Sequence, residues 1–170
     1  AIASKIKNID ERDSRGNTPL HWAALSGDES LVKRLLDAGA DAKAKNNAGS
    51  TPLHYGTGSA AVVKLLLASG ADPNAVSASG YAPIHSAAGR AGSAPTIRLL
   101  LDAGAKVDAV GTTFFGPFTA LGLASFAENE DAVALLLERG ADAKSPVGAR
   151  ALAAAADAGS ASIVPAIIAG

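Results

Sequence analysis

The sequence predicts an all-α fold, a solenoid of paired antiparallel helices that stack in one direction and are joined by short β-hairpin-like finger loops. The first observation behind this prediction is an apolar position that recurs at the start of a short helical segment. It is occupied by Leu20, Leu53, Ile84, Leu121 and Leu152, at intervals of 33, 31, 37 and 31 residues. A period of this length indicates stacked units, none of which can bury its apolar faces alone.

The second observation is a longer helical segment in each unit, with apolar residues spaced i, i+3 and i+4. The five sets begin at Val32, Val63, Ile97, Val133 and Val164. This spacing places the apolar side chains on one face of an α-helix. Gly-Ala follows the first four segments, and glycine just past a helix end favours the left-handed conformation that satisfies the last carbonyls. The pattern therefore predicts where each long helix stops.

The third observation is the motif that opens each unit. It reads TPLHWAA at 18–24, TPLHYG at 51–56 and APIHSAA at 82–88, with degenerate copies TALGLAS at 119–125 and RALAAAA at 150–156. Thr before Pro fits a helix start, because Thr caps free N–H groups and Pro at the first helical position loses no hydrogen bond. These motifs, with their Gly-Ala-Asp or Gly-Ala-Lys corners, resemble the ankyrin repeat family from about residue 8 to the end.

The resemblance implies a division of the chain into repeats. Residues 1–12 form a partial preceding repeat or an N-terminal cap, followed by repeats at 13–44, 45–75, 76–109 and 110–144 and a degenerate C-terminal repeat at 145–170. The second repeat lacks two residues of the segment that reads HWAALSG in the first, so its first helix should be a single turn or irregular. The fourth repeat opens with the long connection VGTTFFGPF (110–118), which should form a longer finger.

Composition limits the function classes. The chain has 15 basic and 16 acidic residues, a net charge of −1 and no basic run, which argues against a nucleic-acid partner. It has no cysteine for disulfides, zinc fingers or thiol chemistry. No apolar run approaches the roughly 18 residues of a membrane span, so we expect no membrane partner. We also expect the chain to be a monomer. The chain starts at Ala1, which suggests a processed or trimmed protein, and the cellular compartment is left open.

The sequence offers no catalytic, metal-binding or cofactor motif, so we predict that the chain is not an enzyme. His21, His54 and His85 occupy one motif position and therefore form a row with one residue per repeat. The resemblance implies hydrogen bonds from this histidine to the motif Thr and nearby backbone, which favours a structural role over a metal or acid–base site. The acidic cluster at 128–131 lies at a helix start, where the helix dipole favours negative charge, and we interpret it as capping.

The chain's seven aromatic residues suggest where a partner binds. In ankyrin proteins their positions correspond to the finger tips and the exposed side of the inner helices, which together form the concave surface. An exposed aromatic patch marks an interface, because aromatic side chains are enriched among residues that dominate binding energy. The predicted partner-binding residues are Trp22, Tyr81, Phe115, Phe126, Arg15, Asn17 and Arg90. Within the fourth finger, Phe115 should be exposed and Phe118 mostly buried.

Two function hypotheses follow from these features. The first is a non-catalytic protein–protein interaction module that binds a partner protein on the concave surface. The second is a structural spacer or scaffold segment of a larger protein, which is favoured by the incomplete first repeat and the degenerate last one. Exposed aromatic residues favour the first hypothesis, since a spacer gains nothing from them. The identity of the partner does not follow from the sequence.

Overall fold

The computed structural model describes residues 9–113, 116–148 and 153. The α-helices in this part of the chain are α1 (Pro19–Ser26), α2 (Glu29–Asp37), α3 (Pro52–Tyr55), α4 (Ala60–Ala68), α5 (Pro83–Ala88), α6 (Ala94–Asp102), α7 (Ala120–Phe126) and α8 (Glu130–Glu138). A 3₁₀ helix, Gly56–Gly58, follows α3, and two strands, β1 (Gly111–Thr113) and β2 (Gly116–Phe118), precede α7. The helices predicted around Leu152 and Val164 lie outside the described residues.

The helices form two stacked rows. Helices α1, α3, α5 and α7 contact one another in succession and make the inner row, whereas α2, α4, α6 and α8 make the outer row. Within each pair, the inner helix packs against the outer helix that follows it in sequence. The predicted all-α solenoid of paired helices is confirmed.

One continuous hydrophobic core fills the space between the two rows. The repeated positions Leu20, Leu53, Ile84 and Leu121 are buried, and so are the first two residues of each apolar set on the outer helices. The third residue of each set, such as Leu36, is only partly buried and packs against the rim of this core. Each repeat therefore buries its apolar residues against its own helix pair and the pairs on either side.

Each outer helix ends at the Gly-Ala pair that the sequence predicts as a stop signal. The four glycines, Gly39, Gly70, Gly104 and Gly140, have φ angles of 95°, 83°, 90° and 85°. In the first repeat, the backbone N–H of Ala40 donates to the carbonyl of the buried Leu35 at 3.0 Å. The later repeats make the equivalent bond, which closes the helix end and fixes where the next connection begins.

Side chains cap the starts of three outer helices, α2, α4 and α8. At α2, Asp28 Oδ1 accepts a hydrogen bond from the backbone N–H of Leu31 at 2.9 Å. At α8, however, Asn129 Oδ1 accepts from the N–H of Ala132 at 3.3 Å. The side chain that caps α8 is therefore the amide of Asn129, which lies within the acidic cluster at 128–131. The carboxylates of the cluster that lie in the first turn remain favoured by the helix dipole.

The inner helix of the second pair is a single turn, as predicted. Helix α3 has four residues where α1 has eight, and the 3₁₀ helix Gly56–Gly58 replaces the missing turn. The segment that reads HWAALSG in the first repeat reads HYGTG here, so the chain has too few residues to complete a second α-turn. The exposed side of this repeat consequently carries fewer side chains than the same side of the first.

Backbone hydrogen bonds join successive fingers. The backbone N–H of Asn47 donates to the carbonyl of Arg15 at 3.0 Å. In the same way, Ala78 donates to Ala48 at 2.9 Å and Thr112 donates to Ser79 at 3.3 Å. Within the described residues, strands occur only in the fourth finger, where β1 and β2 pair antiparallel with Gly111 opposite Phe118. The predicted hairpin-like fingers thus contain a regular ladder only where the finger is longest.

Phe118 attaches the fourth finger to the third repeat. Its ring centroid lies 4.7 Å from that of Tyr81 and 5.1 Å from that of His85. The side chain is partly buried, which is less than the mostly buried position predicted. A Cβ built on Gly111 would overlap Phe118 Cζ and lie 2.9 Å from Cε2, so the ring needs glycine at this position. Phe114 and Phe115 lie outside the described residues.

The first prediction concerns the core. Leu100 is fully buried between repeats, so Leu100→Ala should lower the free energy of unfolding by about 2–5 kcal/mol in chemical denaturation. Leu66→Ala should behave in the same way, whereas Lys64→Ala, at an exposed position on α4, should stay within about 0.5 kcal/mol of wild type. Because contacts run only between neighbours, Leu100→Ala should speed amide exchange in both flanking repeats. Faster exchange in one helix alone would contradict this view of the core.

The second prediction concerns the fourth finger. Gly111→Ala should displace the ring of Phe118 and destabilise the protein by about 1–3 kcal/mol, as expected for overpacking. Gly89→Ala is a matched control, because a Cβ there meets nothing within 4 Å and the φ of −78° suits alanine. Thermal unfolding of the two variants decides the matter. Equal melting temperatures would show that Phe118 does not hold the finger in place.

Candidate functional site

The three histidines connect neighbouring repeats. Each ring accepts a hydrogen bond at Nδ1 from the backbone N–H of the residue before the motif Pro, at 2.9–3.1 Å. Since Nδ1 accepts, the proton lies on Nε2, which donates to a backbone carbonyl further along the chain. For His21 the acceptor is Ser50, for His54 it is Tyr81 and for His85 it is Ala109, at 3.1, 2.9 and 2.8 Å. The predicted structural role of the row is confirmed.

Burial lowers the pKa of all three imidazoles, because the charged form loses its hydration. The hydrogen bond from Nε2 to a carbonyl opposes this effect only partly. A proton added at Nδ1 would also remove the acceptor for the backbone N–H. The neutral rings therefore belong to the folded state. Among the described residues, no group of His, Cys, Asp and Glu is arranged to hold a metal ion.

The exposed side of the inner helices is formed by two positions in each repeat. The first of these, called the second position, lies two residues after the buried motif residue (Leu20 in the first repeat). In the four repeats it is occupied by Trp22, Tyr55, Ser86 and Leu123. The fifth position is Leu25, Gly58, Gly89 and Phe126. Large apolar side chains thus stand in the first and fourth repeats, and the two central repeats have glycine between them. Trp22 is 43% exposed, Leu25 47% and Phe126 74%.

The structure places most of the predicted partner-binding residues on this inner side. Trp22 on α1 donates from Nε1 to Asp13 Oδ2 at 3.0 Å, which fixes its ring beside the first finger. Arg15 is exposed in that finger, and Arg90 is exposed just after α5. Tyr81 is half-buried, since one face of its ring packs against Phe118. Phe115 lies outside the described residues.

Asn17 is a correction to the sequence prediction, because it is only 2% exposed. Its Oδ1 accepts from Asn46 Nδ2 at 2.8 Å, and its own Nδ2 donates to Asp13 Oδ2 at 3.3 Å. These bonds hold the bases of the first two fingers together. The amide is bonded within the array and does not lie on the surface, so Asn17 is not available to a partner.

A groove of about 320 Å³ lies on the inner side, where the second and third repeats meet. Six of its lining side chains carry a hydroxyl group: Ser50, Tyr55, Ser77, Ser79, Tyr81 and Ser86. Leu25, His54 and Arg90 complete the lining. The groove lies where α3 is shortened, and sequence reasoning missed it. The nearest signal in the sequence is Gly58, because Arg90, which lines the groove, packs over it.

Arg90 covers the shortened helix. A Cβ built on Gly58 would lie 3.2 Å from Arg90 Nη1, so the guanidinium group packs directly over this glycine. The backbone carbonyl of Arg90 accepts from Asn129 Nδ2 at 2.6 Å, and Asn129 also donates to Ser93 Oγ at 3.1 Å. The cap of α8 therefore fixes the loop that carries Arg90, across the boundary between the third and fourth repeats.

Comparison with known families agrees with this architecture. The family model described as ankyrin repeats (3 copies) matches residues 2–77, and the single ankyrin repeat model matches residues 79–112. The chain belongs to the ankyrin repeat family. Ankyrin repeats are general protein–protein interaction modules, and the domains they form are generally non-catalytic. No helix in the described part of the chain has both the length and the apolar character needed to cross a bilayer.

Similar curated proteins match this chain over short stretches. The palmitoyltransferase AKR1 of Saccharomyces cerevisiae is 45% identical over 56 residues, which are 33% of this chain and 7% of that protein. The neurogenic locus Notch protein of Drosophila melanogaster is 55% identical over 42 residues, 25% of this chain and 2% of that protein. The regulatory protein SWI6 of Kluyveromyces lactis is 43% identical over 51 residues, 30% and 7% respectively. The similarity is therefore confined to repeat regions within much larger proteins.

The third prediction follows from the histidine row. Because burial depresses the native pKa values below about 6.5, the unfolded chain binds more protons between those values and 6.5. The contribution of the neutral rings is complete above about pH 6.5 and should be lost as the pH falls below it. Urea denaturation between pH 7.5 and 5 should show this loss.

A variant and a metal test accompany the pH series. His85→Ala should be destabilised by roughly 1–3 kcal/mol at pH 7.5, because a buried N–H and a carbonyl lose their partner. It should also show a shallower pH dependence, since one titrating group is gone. Added zinc should leave the melting temperature of wild type unchanged. A rise of several degrees with zinc would contradict the structural role.

Proposed function

We propose that this chain is a non-catalytic module that binds a partner protein on its concave surface, formed by the fingers and the exposed side of the inner helices. The observation that carries the proposal is the exposure of large apolar side chains there, above all Phe126 at 74% and Trp22 at 43%. Burying such side chains on binding releases their hydration, which is the main favourable term in association. Their positions at the two ends of the row would give a partner two anchors.

The polar members of the proposed contact set surround these anchors. Arg15 and Arg90 are exposed, and within the described residues neither guanidinium group forms a salt bridge. Charged groups at the edge of an interface mainly select the partner and speed its approach. Tyr81 supplies a partly buried ring between the anchors, and Phe115 in the fourth finger completes the proposed set.

The alternative proposal is a structural spacer in a larger protein. The observation that favours it is the confinement of the similarity to a few per cent of each relative, in which the repeats are one segment among others. A spacer would keep its repeats stacked and would bind nothing through the exposed row. The two proposals therefore differ in what happens when the row is altered and the core is left intact.

The fourth prediction separates the two proposals. The double variant Trp22→Ala/Phe126→Ala should unfold within about 1 kcal/mol of wild type, because both side chains are substantially exposed. It should bind the captured partner more weakly than wild type does, since truncating an anchor side chain at an interface typically costs about 1 kcal/mol or more of binding free energy. The measurement is capture from a lysate of the source organism with each protein as bait, followed by titration of the captured partner.

The control is Lys33→Ala/Arg98→Ala, which removes two long side chains from exposed positions on outer helices α2 and α6. This control should capture and bind the partner like wild type. Equal binding by all three baits would contradict an interface on the inner side. The absence of any specifically captured protein would favour the spacer.

A further inference from the structure

The groove between the second and third repeats is a depression in the row of exposed side chains on the inner helices. Arg90, which lines the groove, packs over Gly58, and Gly58 and Gly89 occupy the position that Leu25 and Phe126 hold in the outer repeats. A partner segment lying along the row meets apolar side chains at either end and a depression of about 320 Å³ in the middle. This volume lies at the lower end of the range for ligand pockets and is large enough for a projecting side chain of the partner.

The lining of the groove has a definite charge preference. Arg90 is the charged residue among the side chains that line it, and no carboxylate contributes to the lining. In the part of the chain that the structure describes, the two salt bridges are Lys33–Asp37 and Arg139–Asp102, so Arg90 has no acidic partner there. An unpaired guanidinium group beside a groove attracts an anionic group.

Hydroxyl groups in the lining can add hydrogen bonds to the same anion. Tyr55 Oη accepts from Asn46 Nδ2 at 3.0 Å, which fixes the phenol and leaves its own O–H available to donate. Ser86 on α5 lines the same groove as Arg90 and carries a hydroxyl that can donate. The groove thus combines a charged fork with neutral donors.

The loop that carries Arg90 is fixed before any partner arrives. The backbone carbonyl of Arg90 accepts a hydrogen bond from Asn129 Nδ2 at 2.6 Å. The backbone N–H of Arg90 donates to the Ala87 carbonyl at 2.9 Å. The guanidinium group also rests on Gly58, where a larger residue would displace it. Less conformational freedom is therefore lost when Arg90 forms a bond to a partner, which favours binding.

We propose that this groove receives the carboxylate of an Asp or Glu side chain in an extended acidic segment of the partner protein, with Arg90 as its principal contact. The inference rests on the proposed function, because it assumes that a partner lies along the exposed row. A carboxylate matches the planar guanidinium fork with two parallel N–H donors, and a second oxygen lone pair remains for a hydroxyl of the lining.

The fifth prediction tests this assignment with peptides. Random 12-residue peptides displayed on phage are selected on the wild-type chain, and the recovered sequences are synthesised with amidated C-termini and a fluorescent label. We expect the recovered peptides to share an Asp or Glu at one position. Arg90→Gln should weaken their binding about tenfold or more, the loss expected for one charge-assisted bidentate contact. Arg98→Gln, the same change at an exposed position on α6, should leave binding within about twofold.

A double-mutant cycle identifies the contact. Replacing the shared acidic residue of the peptide by its amide should cost the same factor with wild type and nothing further with Arg90→Gln. Arg90→Lys should recover only part of the affinity, because an ammonium group lacks the fork. Equal losses on both backgrounds would show that Arg90 contacts another group and would overturn the assignment. So would tighter binding of a phosphoserine peptide, or dependence on a free C-terminal carboxylate.

A second variant displaces the guanidinium group of Arg90 without changing residue 90 itself. Replacing Gly56–Gly58 by Ala-Ala-Leu-Ser-Gly, the sequence at 23–27, should complete the inner helix of the second repeat. It places a leucine at position 58, where it should push the guanidinium group of Arg90 away from the groove. Circular dichroism should show a folded protein, and the acidic peptides should no longer bind. Undiminished peptide binding would overturn the proposal.

The same series distinguishes failure of this inference from failure of the proposed function. If the peptides lose affinity with Trp22→Ala/Phe126→Ala but not with Arg90→Gln, the carboxylate site is contradicted and the proposed interaction surface is supported. Peptides unaffected by every variant on the inner side, or a library from which no peptide is enriched, would count against both.

Discussion

The hydrogen bond from a buried histidine to the next repeat is the interaction on which the arrangement of the fingers depends. His21 Nε2 reaches the Ser50 carbonyl 29 residues away, and His54 reaches Tyr81 in the same manner. These bonds set the distance between an inner helix and the finger that follows it. Because the rings are buried and neutral, the bonds do not compete with water. The surface formed by fingers and inner helices is therefore determined from within the stack.

The third repeat shows how the scheme adapts when a finger is longer. His85 bonds to Ala109, which lies before β1, because the residues of the hairpin intervene between that carbonyl and the next helix. The space opened beside His85 is filled by Phe118, whose ring packs against both His85 and Tyr81. An aromatic side chain thus replaces part of the backbone contact made in earlier repeats. Gly111 makes this packing possible, since any side chain there would meet the ring.

The elements that could be predicted from sequence are those determined within one repeat. Helix positions and the glycine stops depend on residues a few positions apart, and in the first four repeats they are found where predicted. The features that were missed depend on contacts between repeats. Asn17 is buried by Asn46, 29 positions away, and Asn129 binds the Arg90 loop 39 positions earlier. A single repeat contains no signal for such pairs, because each partner is an ordinary polar loop residue in its own sequence.

The shortened helix α3 illustrates why a solenoid can carry a local irregularity on its exposed side. Although α3 has only one turn, Leu53, Val63 and Leu66 remain fully buried and keep the core of this repeat intact. Since each repeat contacts only its neighbours, the change is absorbed by the adjoining third repeat, where Arg90 covers Gly58. Asn129 in turn anchors the Arg90 loop to the fourth repeat. The position of one exposed guanidinium group is thus determined by three successive repeats, while the buried framework stays as regular as in the first.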